Sequence, residues 1–363
     1  MSQKTRASKL SQAFVDDEAI GIYVRSADKP LSVIPTGNDA FDVATGIGGL
    51  PEGRIVMLAG AEASGKSTFA LECAAEVQRR NGLVVYLDYE CKLDMGYAKA
   101  LGVDVDQMVV ARPAYIEKGF EMLDVVLRKA REGDEEKFPI LVIWDSLHGA
   151  QAKRTFDGEY EAEGFSPESL AYAKCMRKFV PALERTNAVM LAISQVRSDI
   201  GAFITKDKIG VGRACRFYAS VVAFLRAKEK IASSAGPVGE KIEATITKNQ
   251  VGNPFRIAKW PIYYGKGVDK AAATLSAAEA VGVATMGKKG WLQLNVAGAT
   301  IPVHGVSGFA KLAESDPALF SKTREAIRAL IGKVAVLEAV AVAVAAAAAV
   351  AEQAEPVSAE VVT

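Results

Sequence analysis

The sequence has few residues of the types that bind structural metals or form disulfides. It contains two histidines, His148 and His304, and four cysteines that stand apart without any Cys-x-x-Cys pair. This pattern lacks the spacing of a zinc site and is typical of a reducing compartment. The first residues also lack the apolar block of a secretory signal. We therefore expect a cytoplasmic protein without structural zinc.

Long apolar runs and an excess of one charge are also missing. The most membrane-like stretch, Ala339–Ala351, is shorter than the ~20 residues that span a bilayer, so no membrane partner is expected. The 44 Lys and Arg residues are balanced by 43 Asp and Glu residues. This balance neither supports nor excludes nucleic-acid binding, because a polyanion needs only a local basic surface.

A central zone of the chain alternates short apolar runs with segments of helical composition. Continuous apolar runs such as Leu83–Asp88 and Ile140–Asp145 are typical of strands that are covered on both faces. Helical segments separate the first four runs, which predicts βαβ crossovers and a mostly parallel sheet. We expect an N-terminal arm at 1–33, the α/β core at 34–268, a small Gly/Ala-rich module at 269–332 and a low-complexity Ala/Val tail at 333–363.

A glycine-rich loop follows the first apolar run. Residues 60–68, GAEASGKST, match the pattern GxxxxGK[ST] between a predicted strand and a predicted helix, and we call them the P-loop. Backbone N–H groups of such a loop surround phosphate oxygens, and the helix dipole adds to the attraction. Lys66 would reach the β- and γ-phosphates, and the Ser67 hydroxyl would hold Mg²⁺. The alternative is a glycine-rich turn without a ligand. The predicted nucleotide contacts are Gly60, Glu62, Ala63, Ser64, Gly65, Lys66, Ser67 and Thr68.

Two acidic residues at predicted strand ends complete this site. Asp145 ends the run 140–145 and is predicted to hold Mg²⁺ through water. Glu90 follows the run 83–88, and we predict that it is the base that polarises the attacking water. Taken alone, Asp145 could be a turn former and Glu90 a solvated loop carboxylate.

The ordered set of motifs resembles the bacterial RecA family from about residue 32 to residue 332. The matching motifs are Pro35-Thr36-Gly37, Gly48–Arg54, the P-loop, Asp88-Tyr89-Glu90, Trp144-Asp145-Ser146, Ser194–Arg197, Arg216–Ser220, Lys248-Asn249 and Tyr264-Gly265. The resemblance implies an α/β fold: a RecA-type P-loop ATPase core with a mostly parallel sheet, an N-terminal polymerisation arm and a small α+β C-terminal domain. It implies a DNA-dependent ATPase with ATP and Mg²⁺ as cofactors. Such an enzyme forms a helical filament on single-stranded DNA and catalyses homologous pairing and strand exchange in recombination, repair and the SOS response.

The same resemblance assigns roles to individual residues. Glu90 is the catalytic base, Gln195 senses the γ-phosphate, and Lys248 reaches ATP that is bound to the neighbouring subunit. The expected adenine contacts are Asp94, Tyr97, Tyr264 and Gly265, and the expected subunit-interface residues are Phe203, Arg216, Phe217 and Lys248. The sequence departs from the family at Gln250, where many members have a second lysine, at Ala61 and at Ser194. These departures suit a phage-encoded or divergent member.

Two long polar segments, 151–168 and 197–212, resemble the DNA-binding loops of the family. After the first segment, Lys174, Arg177 and Lys178 fall on one helix face, opposite an apolar stripe. The expected DNA contacts are Arg177, Arg197, Ser198, Ile200, Gly201, Val211, Gly212 and Arg213. Lys288, Lys289 and Lys311 of the C-terminal module are either duplex contacts or solubilising lysines. The resemblance adds homologous duplex DNA, single-strand-binding proteins and mediator proteins as partners.

Two other readings of the motifs stay open at this point. A hexameric ring helicase or ring ATPase can be built on the same core, since a fold alone does not determine function. A DNA-coating signalling filament, in which ATP only sets the shape, is the second alternative.

Overall fold

The computed structural model describes residues 31–133, 138–158, 167–196, 213–234 and 236–331. The strands are β1 (Val33–Ile34), β2 (Leu50–Pro51), β3 (Ile55–Gly60), β4 (Leu83–Asp88), β5 (Met108–Ala111), β6 (Ile140–Asp145), β7 (Ala188–Gln195), β8 (Val221–Ser233), β9 (Gly236–Asn249), β10 (Ile257–Tyr263), β11 (Gly267–Val268), β12 (Ala284–Met286), β13 (Trp291–Val296) and β14 (Ala299–His304). The α-helices are α1 (Asp39–Thr45), α2 (Lys66–Gln78), α3 (Met95–Ala100), α4 (Ile116–Ala130), α5 (Lys153–Phe156), α6 (Pro167–Thr186), α7 (Arg213–Tyr218), α8 (Lys270–Ala280), α9 (Gly305–Ser315) and α10 (317–331). A 3₁₀ turn (Lys288–Gly290) precedes β13.

The main sheet joins nine strands of the described chain in the order β11-β10-β9-β8-β3-β7-β6-β4-β5. Neighbours from β8 to β5 pair parallel, whereas β8 to β11 pair antiparallel. The parallel strands read as continuous apolar runs because helices cover both of their faces. The prediction of a mostly parallel α/β core is therefore confirmed, and β3, β4, β6 and β7 end at one edge of this sheet.

Aromatic packing holds the helices to the two faces of the sheet. On one face, the ring of Phe69 from α2 lies 4.6 Å from that of Phe41 and 5.6 Å from that of Trp260. On the other face, the ring of Trp144 in β6 lies 4.7 Å from that of Phe120 in α4. Rings of this size dominate the energy of a core. This packing holds the carboxyl ends of the strands in fixed positions.

The C-terminal region forms a second layer of α+β structure. Strands β12, β13 and β14 make an antiparallel sheet that packs with α8, α9 and α10. Its core contains the buried side chains of Leu275, Leu292, Phe309 and Ile327. Val43 of α1 belongs to the same cluster, so this core continues onto the helix that precedes the main sheet.

The structure differs from the sequence prediction in the lengths of β8 and β9. The apolar runs predicted strands only over Ser220–Leu225 and Ile242–Thr247, but the hairpin extends to Ser233 and starts at Gly236. Its outer part carries exposed charged residues, such as Lys241, which pairs with Glu229 at 2.7 Å. Continuous apolar sequence marks only the part of a strand that helices cover.

The sequence pattern also did not predict several short elements. Strand β5 is a half-exposed edge strand of four residues, and α3 is a helix of six residues. The segment 151–168 is not a loop throughout, because α5 forms within it and α6 begins at Pro167. No helix in the described ranges combines the length and apolar character that a membrane span requires.

Candidate active site

The P-loop connects the end of β3 to the start of α2. Gly65 has φ +82°, and a Cβ there would lie 2.7 Å from Ile262 Cδ1. A Cβ at Gly60 would collide with the carbonyl oxygen of Leu225 in β8. Both positions therefore require glycine. The loop reaches α2 in a conformation that leaves the first N–H groups of the helix available to an anion.

The Lys66 ammonium lies inside this loop. Its Nζ donates to Gly60 O at 3.1 Å, to Ala61 O at 2.5 Å and to Ser64 Oγ at 3.1 Å. Burial lowers the pKa of Lys66, although the charges of Asp145, Glu90 and Glu62 oppose this shift. The Lys66 side chain is thus a cation that is held near carboxylates. It lies beside the place where the motif binds phosphate oxygens.

A hydroxyl and a carboxylate meet beside Lys66. Ser67 Oγ donates to Asp145 Oδ2 at 3.0 Å, and the Tyr86 hydroxyl donates to the same oxygen at 2.6 Å. The pKa of Asp145 lies above its usual value because burial raises it. The hydrogen bonds from Tyr86 and Ser67 oppose this shift. Hard oxygen donors of this kind are the ligands that Mg²⁺ takes, usually together with water and substrate phosphates. The predicted metal residues Ser67 and Asp145 therefore fit the ion.

The Glu90 carboxylate follows β4 and is held by three donors. Its Oε1 accepts from Ser146 Oγ and, at 3.1 Å, from Gln195 Nε2. Its Oε2 accepts from Lys92 Nζ at 2.9 Å. Burial alone would raise the pKa of Glu90, but the hydrogen bonds from Ser146 and Lys92 and the charges of Lys92 and Lys66 bring it below its usual value. Glu90 is therefore ionised at neutral pH and can accept a proton.

A single turn of chain carries Glu90, and Asp88 holds that turn. The Asp88 carboxylate accepts from the backbone N–H groups of Lys92 at 3.1 Å and Leu93 at 3.4 Å. Arg112 Nε donates to it at 3.2 Å. The sequence reasoning assigned no role to Asp88, Lys92, Ser146 or Tyr86. The strand-end position of Asp88 was visible in the sequence, whereas the reach of Lys92 and Tyr86 depends on tertiary geometry.

The residues expected around adenine lie along α3 and after β10. Asp94 caps α3 by accepting from Tyr97 N at 3.0 Å, and the Tyr97 hydroxyl shares a hydrogen bond with Thr68 Oγ1 at 3.0 Å. Tyr264 is half-exposed, and its hydroxyl donates to Glu240 at 2.9 Å. Gly265 follows with φ +74°. The structure thus brings Asp94, Tyr97 and Thr68 together at the P-loop helix.

Lys248 forms a surface cluster with α7. Its Nζ donates to the carbonyl oxygens of Arg216 at 3.0 Å and Phe217 at 2.9 Å. Burial and the charge of Arg216 lower the pKa of Lys248. The Phe217 side chain is 76% exposed. Exposed aromatic side chains and arginine are enriched at protein contact surfaces, which Phe217 and Arg216 match.

Helix α6 has the two faces that the sequence predicted. Lys174, Arg177 and Lys178 are exposed, whereas Met176 and Phe179 are buried. Lys178 Nζ lies 4.0 Å from Asp124, which partly neutralises it. The face is therefore a local basic surface on a chain of balanced charge.

The other predicted DNA and interface residues divide between described and undescribed parts of the chain. Arg213 is the exposed first residue of α7, and Lys288, Lys289 and Lys311 are exposed on the C-terminal module. The predicted residues that lie outside the described ranges are Arg197, Ser198, Ile200, Gly201, Phe203, Val211 and Gly212.

Comparison with known proteins gives consistent matches over this region. A family model described as the RecA N-terminal domain matches residues 5–269. The protein named Protein RecA of Sulfurimonas denitrificans is 36% identical over 255 residues, covering 69% of this chain and 72% of that protein. Protein RecA of Corynebacterium urealyticum is 35% identical over 281 residues, covering 76% and 74%. Protein RecA of Fusobacterium nucleatum is 36% identical over 265 residues, covering 72% and 68%.

Proposed function

The chain belongs to the RecA family of recombinases, and on that premise we propose which of its residues bind ATP, promote its hydrolysis and contact DNA. The protein is a DNA-dependent ATPase of DNA recombination and repair. It takes ATP and Mg²⁺ as cofactors, binds single-stranded and duplex DNA, and assembles into helical filaments of its own copies.

The arrangement around Glu90 carries the proposal for catalysis. Glu90 lies between the Gln195 amide and Lys92, while Lys66 and the Ser67–Asp145 pair lie beside it. We assign the P-loop to the phosphates, Ser67 and Asp145 to Mg²⁺, and Glu90 to the attacking water. An ion held by Ser67 and Asp145 would supply positive charge that offsets the charge of the phosphates.

Within one subunit, hydrolysis uses the groups of this site and one water molecule. The water oxygen attacks the γ-phosphorus, the bond to the β,γ-bridging oxygen breaks, and the water proton passes to the Glu90 carboxylate. Lys66 stabilises the charge that moves to the leaving diphosphate. Gln195 contacts Glu90 directly and lies two residues before the segment 197–212. We propose that it couples the γ-phosphate to that DNA-binding segment.

The cluster of Lys248, Arg216 and Phe217 is our candidate for the subunit interface, together with Phe203. A cation supplied by a neighbouring subunit would stabilise the transferring phosphoryl group only after assembly. Arg216 and Phe217 are exposed, and the Lys248 ammonium donates to carbonyl oxygens of α7 rather than to the P-loop of its own subunit. This supports a role in trans.

We assign DNA contact to the α6 face around Arg177, to Arg213 and to the predicted residues of 197–212. Asp94, Tyr97, Tyr264 and Gly265 are assigned to adenine.

We further propose the division into arm, core, module and tail, a duplex-gathering role for the C-terminal module, and contacts with single-strand-binding and mediator proteins. A cytoplasmic location is supported by the four cysteines, which are all free thiols.

The first test compares steady-state ATP hydrolysis with and without single-stranded DNA in wild type, Lys66→Ala and Lys248→Ala. We expect DNA to stimulate the wild type strongly and both variants to lose roughly a hundredfold of that rate. Lys129→Ala, which removes an exposed cation of α4, is the matched control and should behave as wild type. DNA-independent hydrolysis that survives Lys248→Ala would contradict the interface mechanism and favour a ring ATPase, which electron microscopy would show as closed rings.

A further inference from the structure

Tyr86 occupies an unusual position for a residue of an apolar strand. Its side chain is buried in β4, with 2% exposure, and its hydroxyl donates to Asp145 Oδ2 at 2.6 Å. Strands β4 and β6 are parallel neighbours in which Tyr86 pairs with Ile143 and Asp88 pairs with Asp145. Tyr86 therefore lies two registered pairs behind Asp145, on the same face of the sheet, and its ring packs in the core on the α2 side.

Two donors converge on one oxygen of Asp145. Ser67 Oγ donates to the Oδ2 that also accepts from Tyr86. Among the described residues, the hydrogen bonds of this carboxylate end on Oδ2, so Oδ1 stays available as an acceptor. A hydroxyl bonded to a carboxylate at this length is among the stronger hydrogen bonds in proteins. The pair of contacts fixes the rotation of the carboxylate about its χ2 angle.

We propose that Tyr86 is a positioning residue for the Mg²⁺ of the ATPase site, which acts by holding Asp145 in the orientation that receives the hydrated ion. This inference rests on the proposed assignment of Ser67 and Asp145 to Mg²⁺. Partners that orient a metal-binding carboxylate are part of the site, and their loss typically costs about 10- to 100-fold in metal affinity or activity. Phenylalanine would fill the same volume in the core but would leave Asp145 without this donor.

The competing explanation is that Tyr86 only satisfies its own buried hydroxyl. Buried tyrosines usually find a hydrogen-bond partner, and such a bond stabilises the fold wherever it lies. That explanation predicts a loss of thermal stability without any particular dependence on magnesium. A positioning role predicts a defect that appears only when Mg²⁺ takes part.

The test measures the binding of a fluorescent N-methylanthraniloyl derivative of ATP to the full chain, at increasing Mg²⁺ concentrations and in EDTA. For Tyr86→Phe we expect the midpoint of the Mg²⁺ dependence to rise about tenfold, with unchanged nucleotide affinity in EDTA. In steady-state hydrolysis, the half-saturating Mg²⁺ concentration should rise while the rate at saturating Mg²⁺ stays near that of wild type.

Tyr172→Phe is the matched control, because it removes another buried hydroxyl, which donates to Leu147 O at 2.9 Å and accepts from Trp144 Nε1 at 3.2 Å instead of bonding to Asp145. It should lose comparable thermal stability and keep the wild-type Mg²⁺ midpoint. An unchanged midpoint in Tyr86→Phe, or an equal loss of affinity with and without Mg²⁺, overturns the positioning role. Ser67→Ala distinguishes a failure of the positioning role from a failure of the metal assignment. If Ser67→Ala also leaves the Mg²⁺ dependence unchanged, the assignment of Ser67 and Asp145 to Mg²⁺ is wrong.

Discussion

At the scale of single residues, the proposed base Glu90 pairs with a lysine of its own turn. Lys92 stands two residues after Glu90, and its ammonium lies 2.9 Å from Glu90 Oε2. The lysine side chain is 70% exposed, so solvent screens much of this pair. The contact therefore adjusts the charge state of Glu90 more than it stabilises the fold.

Replacing Lys92 with methionine should change the pH dependence of ATP hydrolysis. Lys92 favours the ionised form of Glu90 and so contributes to its lowered pKa. Its removal raises that pKa, and the loss of activity on acidification should then begin at a higher pH than in wild type. At pH 7 the rate should change by less than about fivefold, as for other exposed pairs. The measurement is the rate of DNA-stimulated hydrolysis from pH 4 to 8, because the lowered pKa of Glu90 puts the acid limb of the wild type at the low end of this range.

Two further variants give this experiment a control. Lys92→Arg keeps the positive charge and should restore the wild-type profile. Lys118→Met removes a lysine that pairs with Glu121 at 3.4 Å on α4, away from Glu90, and should leave the profile unchanged. An acid limb of Lys92→Met that coincides with wild type would mean that Lys92 has no influence on the base.

At the scale of elements, helix α6 divides its residues between core and solvent. The buried Phe179 ring packs edge-on against Phe120 of α4 at 5.1 Å, which orients the opposite face outward. That face presents Lys174, Arg177 and Lys178 together. Three cations on one rigid helix bind phosphates better than the same cations on a loop. The helix already fixes their spacing, whereas a loop would lose conformational entropy on binding.

Substitution of Arg177 by alanine should weaken binding to single-stranded DNA. One lost phosphate contact is expected to lower the affinity about tenfold and to reduce the slope of log K against log salt by about 0.7. Fluorescence anisotropy with a labelled oligonucleotide at several salt concentrations measures both quantities. Lys129→Ala is again the control cation, on α4. A lower affinity with an unchanged salt slope would argue against a phosphate contact.

At the scale of the whole molecule, a buried ion pair joins the C-terminal helix to the first helix of the core. Arg324 of α10 donates from Nε and Nη2 to both oxygens of Asp39, at 2.8 to 3.1 Å, and Thr274 Oγ1 donates to the same carboxylate at 2.6 Å. Burial and the charge of Asp39 raise the pKa of the neighbouring Asp42 to about 8. Arg324 pairs with Asp39, whereas the Asp42 carboxylate accepts from Thr36 Oγ1 at 2.7 Å.

Replacing Arg324 with methionine should destabilise the protein strongly. Asp39 would stay buried at 3% exposure with its charge unpaired, and breaking a buried pair in this way costs about 3 kcal/mol or more. Urea denaturation followed by circular dichroism measures the change. Asp39→Asn combined with Arg324→Met should recover part of the loss, because no unpaired charge remains.

The control for this prediction is an exposed pair of the same kind. Arg128 and Glu132 lie 3.3 Å apart with side chains 67% and 60% exposed. Arg128→Met should change the free energy of unfolding by less than about 1 kcal/mol. A loss for Arg324→Met no larger than this would show that the ion pair does not hold the two regions together.

The sequence by itself determined the features that depend on neighbours along the chain. The P-loop, the covered strands, the two faces of α6 and the strand-end acids Asp145 and Glu90 follow from local residue patterns, because a period of 3.6 or a continuous apolar run is decided within one element. The ordered motifs also carried the family resemblance, which the comparisons confirm.

Only the tertiary structure decided which distant residues complete these features. Tyr86 meets Asp145 across 59 positions of the chain, Gln195 meets Glu90 across 105, and Arg324 meets Asp39 across 285. Each of these contacts requires a particular register between strands or a particular packing of helices. Many registers and packings are compatible with the same local pattern, and the burial of the whole core selects one of them.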